Sequence, residues 1–61
     1  MTPKQQAFVS EYLIDLNATQ AAIRAGYSPK TAEQLGYQLL QHPSVRAAVD
    51  EALEKIGRAH V

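Results

Sequence analysis

Residues 17–41 read NATQAAIRAGYSPKTAEQLGYQLLQ, and the way this stretch breaks decides the fold. Ala21, Ala22 and Ala25 recur at helical spacing, and Gly26 stands where such a helix must end and the chain reverse. Tyr27 and Ser28 form a short turn. Ser28 followed by Pro29 then reads as a new start, a hydroxyl N-cap with proline at the first helical position. Two short helices joined by a glycine-containing turn make a helix-turn-helix, a unit whose second helix can read DNA.

The second helix of that pair, over about 29–41, separates into two faces at 100° per residue. Ala32, Leu35, Gly36 and Leu39 fall inward, while Lys30, Gln34, Tyr37 and Gln41 fall outward with Glu33 and Gln38 beside them. Glutamine pairs bidentately with adenine, lysine with guanine or phosphate, and tyrosine with phosphate. The candidate DNA-contacting residues are therefore Lys30, Thr31, Gln34, Tyr37 and Gln38. Arg24 and Arg46 are candidates for phosphate. An ordinary solvated polar face is the plain alternative.

The flanks supply support. Thr2-Pro3-Lys4-Gln5 opens like a capping box with proline at N1, and predicts a helix over about 3–16. Phe8, Tyr12 and Leu16 share one stripe of it with Val9 and Leu13 alongside, and Ile14 lies off that stripe. Asn17 caps a helix over about 18–25, with Thr19 as a competing cap. The small residues of that helix let a neighbour approach closely. Ile23 points elsewhere, toward the fourth helix or another subunit. The Tyr27 ring belongs in the corner between helices, or stacked on a nucleotide. His42-Pro43 stops the third helix, and Pro43 opens a fourth over about 43–55. Its stripe of Val45, Val49, Ala52, Leu53 and Ile56 either closes a thin core or begins an intersubunit contact. The expectation is an all-α, small four-helix domain.

Length and charge bound the rest. A chain of 61 residues buries only about 60% of the surface its unfolded form exposes, and without cysteine it has no disulfide or thiolate metal site to help. No apolar run nears the roughly 20 residues of a membrane span and no signal core appears, so a cytoplasmic protein in a host cell is expected. Net charge is zero, but unevenly spread: Arg24, Lys30 and Arg46 against Glu33 give residues 18–46 a charge of +2. That weak footprint predicts marked salt sensitivity and an affinity per domain no tighter than the ~10⁻⁴–10⁻⁶ M of non-specific binding. Enzymatic residues are not in evidence: no nucleophile has a base, no histidines stand at metal-ligand spacing, and no glycine-rich loop cradles phosphate. No cofactor is expected. The closing Ile56-Gly57-Arg58-Ala59-His60-Val61 resembles the in-frame reading of a sequencing adapter, so residues 1–55 are read as the domain and 56–61 as a non-native tail on a truncated parent.

The segments TPKQQAFVSEYL, DLNATQAAIRAGYS, PKTAEQLGYQLL and HPSVRAAV together resemble the N-terminal domain of phage terminase small subunits, over Thr2 to about Leu53. The resemblance implies a non-catalytic component of viral genome packaging that recognises double-stranded DNA at the packaging-start site. It further implies a homo-oligomeric ring in the full-length protein and a terminase large subunit as partner, the latter supplying ATPase and nuclease. Two other functions fit the pattern: a helical protein-interaction module, and the DNA-binding domain of a regulator or transposase.

Overall fold

The computed structural model describes residues 1–56, which form four helices: α1 (Pro3–Asp15), α2 (Ala18–Arg24), α3 (Ala32–Gln41) and α4 (Pro43–Ile56). Of the segment 56–61 read as a foreign tail, Ile56 is the last residue of α4 and residues 57–61 lie outside the described residues. The domain is all-α, as the periodicity predicts.

Helix α1 begins on the expected capping box. The Gln5 N–H donates to Thr2 Oγ1 at 3.2 Å, and the Thr2 N–H donates back to Gln5 Oε1 at 3.1 Å. Two backbone donors that a helix start leaves orphaned are satisfied at once. At its other end the helix stops one residue short of the expected boundary. Leu16 turns into the left-handed region at φ 56° and donates its N–H to the Tyr12 carbonyl at 2.7 Å. That turn lifts Leu16 out of the stripe it shares with Phe8 and Tyr12, and it stands 51% exposed. Ile14, off the stripe, is exposed as expected.

Asn17, not Thr19, caps α2: its side-chain oxygen accepts the Gln20 N–H at 3.0 Å. Ala25 is the C-cap, and Gly26 then takes φ +107°, a backbone angle that L side chains rarely adopt. The chain reverses there and α3 returns across α2.

Helix α3 starts three residues later than Ser28-Pro29 signals. Proline at the second position of a β-turn is as well placed as proline at the first position of a helix. The chain uses the turn: the Thr31 N–H donates to the Ser28 carbonyl at 3.1 Å. The Thr31 hydroxyl also turns back to that carbonyl, at 3.4 Å, so no side chain caps α3. His42 closes α3 with an extended backbone, and its carbonyl accepts the Arg46 N–H to start α4.

The core is one cluster of Phe8, Val9, Ala21, Ala22, Ala32, Leu39, Val45 and Val49. Phe8 and Val45 are its largest fully buried side chains, contributed by α1 and α4, so the fourth helix does close the core. Phe8 stacks on Tyr12 with ring centroids 5.8 Å apart. Ile23 is half-buried against this cluster. The fully buried residues of α2 are alanines, and this lets α3 come close. A Cβ built on Gly36 would lie 2.7 Å from the Ala18 carbonyl oxygen. The close approach at Gly36 is thus to Ala18, one turn before the alanines whose spacing marks the helix.

Candidate nucleic-acid interface

Burial sorts α3 as its 100° spacing predicts. Ala32, Gly36 and Leu39 are buried and Leu35 and Leu40 half-buried, whereas Glu33, Gln34, Tyr37, Gln38 and Gln41 are exposed. Gln34, Tyr37, Gln38 and Gln41 stand at positions i, i+3, i+4 and i+7, so they form one continuous strip of the helix surface. Tyr37 stands at its middle and is 65% exposed. An aromatic held this far out, on a helix whose opposite side is packed, offers its hydroxyl and its ring face to whatever lies against the helix.

Lys30 and Thr31 are also exposed, but in the Ser28–Thr31 turn at the entrance of α3 rather than on the helix itself. They lie beyond its N-terminal end, where a groove-reading helix meets the phosphate backbone. Glu33 in the first turn opposes them in charge.

The two arginines are disposed differently. Arg24 ends α2 and points back to α1, where Nη1 meets Asp15 Oδ2 at 3.2 Å. The same carboxylate accepts the Asn17 N–H at 3.2 Å, so the contact ties together the corner where α1 passes into α2. Arg46 lies along α4, with Nε 3.5 Å from Asp50 Oδ2 one turn on. Neither stands on the outer face of α3. Both pairs are exposed, and water screens them strongly.

Sequence spacing did not single out Lys4. It lies in the first turn of α1, yet its Nζ sits 5.2 Å from the centre of the Tyr27 ring, a cation–π arrangement across the α2–α3 turn. Its Cε would be 3.6 Å from a Cβ on Gly26. No local spacing connects Lys4 with Tyr27; only the folded chain does. The Tyr27 ring is half-buried in the corner between the helices, against the core, as one of its two sequence readings has it.

No group of three His, Cys, Asp or Glu suited to a metal occurs among the described residues. No helix among them is long and apolar enough to cross a membrane.

A family model described as terminase small subunit matches residues 1–60. The chain is 45% identical over 62 aligned positions to the terminase small subunit of Bacillus phage SF6, covering 100% of this chain and 43% of that protein. It is 44% identical to the terminase small subunit of Bacillus phage SPP1, covering 98% of this chain and 42% of the relative. The terminase small subunit of Staphylococcus phage 80alpha is 46% identical, with 92% of this chain and 39% of the relative aligned. The chain thus spans about two fifths of the length of these relatives.

Proposed function

Since the chain belongs to the terminase small subunit family, we propose that it is the DNA-recognition domain of a phage genome-packaging protein. Helix α3 lies in the major groove of double-stranded DNA, with Gln34, Tyr37 and Gln38 toward the bases. Lys30 and Thr31, in the turn before it, meet the phosphate backbone. The domain is non-catalytic. In the full-length protein it acts in a homo-oligomer, beside a terminase large subunit that does the cutting and pumping, in the cytoplasm of the host cell.

One observation carries the reading. The packed side of α3 is formed by Ala32, Gly36 and Leu39, and this leaves an exposed strip of amides and a phenol, with a cation at its entrance. A plain solvated face on a short helix favours Glu and Lys; this strip is rich in groups that hydrogen-bond to base edges.

Arg24 and Arg46 share their charge with Asp15 and Asp50, which lowers what each offers to phosphate, so a single domain binds weakly. Useful affinity arises when several copies on one assembly engage neighbouring turns of the duplex, through effective concentration.

The test is a titration of duplexes tiling the packaging region, against a mixed-sequence duplex, with the full chain and its Lys30→Ala, Gln34→Ala and Tyr37→Ala variants. Binding that weakens in the variants and falls steeply with added salt supports the reading. Binding that is absent, or untouched by all three changes, removes it. An apolar protein contact, the competing function, would respond little to salt.

A further inference from the structure

Five cations lie among the described residues, and three of them face carboxylates: Arg24 on Asp15, Arg46 on Asp50 and Lys55 on Glu51. The other two, Lys4 and Lys30, have no carboxylate partner among the described residues. Both belong to one place. Lys4 reaches the α2–α3 turn from α1 and stands over the Tyr27 ring, and Lys30 follows Tyr27 by three positions in the same turn. The two cationic side chains without a carboxylate partner thus both lie at or against the turn that leads into α3.

We propose that Lys4 is a phosphate-contacting residue of the DNA-facing surface, contributed by α1 and held in position by the Tyr27 ring. The proposal rests on the DNA-binding reading of α3 and adds to it a contact from outside the helix-turn-helix. Lys4 is exposed, so its ammonium keeps donors free for a phosphate oxygen while the aromatic face beneath restricts its long side chain. A lysine bound to an aromatic ring rather than to a carboxylate keeps its full charge for an incoming anion. No carboxylate has to be displaced first.

The test measures the salt dependence of duplex binding for the full chain, Lys4→Gln, Lys4→Arg, Lys30→Ala and Gln34→Ala, with thermal unfolding of each. Loss of one phosphate contact lowers the slope of log K against log salt by about 0.9. The expected result is a slope shallower by that amount in Lys4→Gln and in Lys30→Ala, restored in Lys4→Arg, with little movement of the unfolding midpoint. Should Lys4→Gln fail to fold, Lys4→Met keeps the apolar stem on the ring and carries the same expectation. An unchanged slope in the folded Lys4 variant, while Lys30→Ala and Gln34→Ala still weaken binding, overturns this proposal alone and leaves Lys4 as a brace for the turn. Failure of the unaltered chain to bind duplex at all overturns both.

Discussion

Gly36 of α3 meets the backbone of Ala18 in α2 so closely that a β-carbon on the glycine would stand 2.7 Å from the Ala18 carbonyl oxygen and 2.9 Å from its carbonyl carbon. Atoms at those distances must move apart, and the obstacle is backbone, which cannot rotate away. Two effects compete in Gly36→Ala. Alanine is the better helix former by about 1 kcal/mol. Overpacking of a tight contact costs about 1–3 kcal/mol, and here α3 as a whole has to shift. The clash wins, so Gly36→Ala lowers the thermal midpoint by several degrees. It also moves the outer strip relative to the rest of the domain, and on the proposed DNA-binding reading it is expected to weaken duplex binding. A variant that melts higher than the original would show that the two helices are not in this contact.

Gly26 differs in kind from Gly36. A Cβ there would meet nothing nearer than Lys4 Cε at 3.6 Å, an ordinary contact, so space is not its constraint. Its φ of +107° is. Gly26→Ala is therefore expected to destabilise by about 1–3 kcal/mol through backbone strain alone. Gly26→Val, with its branched β-carbon, is expected to be worse. Denaturant midpoints with an unchanged m-value measure this directly.

Leu16 is the mirror case, a side chain where the backbone favours glycine. Its φ of 56° places an L residue in the left-handed region, at a cost of about 1–2 kcal/mol, and its half-exposed side chain recovers only part of that. Leu16→Gly removes the strain but gives up the remaining apolar contact and loosens the unfolded chain. The net expectation is stabilisation of about 0.5 kcal/mol, a small rise in the unfolding midpoint. A loss of more than 1 kcal/mol would mean that Leu16 packs more than its exposure indicates.

These positions show which features local sequence carries. The Thr2–Gln5 capping box, the Asn17 cap, the Gly26 reversal and the two faces of α3 depend on residues within one or two turns of each other, and all are legible in the letters. The start of α3 was less so, because Ser28-Pro29 is equally a turn and a helix entry, and the chain takes the turn. Leu16 fits a period that the chain abandons one residue earlier to cap α1. On the candidate interface, the outer strip followed from periodicity. The state of its cations did not. Arg46–Asp50 is a spacing of four and readable as such, but Arg24–Asp15 and Lys4–Tyr27 exist only once the α1–α2 corner and the α2–α3 turn have formed.

The Arg46–Asp50 pair gives a way to ask whether α4 takes part in binding. Both side chains are more than half exposed, so the pair adds little to stability, and Asp50→Asn should change it by no more than about 0.5 kcal/mol. Its effect on DNA binding has the opposite sign from a loss of function. Removing the carboxylate frees the guanidinium and also deletes the negative charge beside it. If Arg46 lies against the duplex, affinity rises and the salt slope steepens by up to about 0.9. Glu54→Gln, one turn further along α4, is the charge-matched control: a general gain in positive charge would raise affinity equally in both variants. A gain confined to Asp50→Asn places Arg46 at the phosphate backbone. Equal small gains would place it away from the duplex and leave phosphate contact to the cations at the entrance of α3.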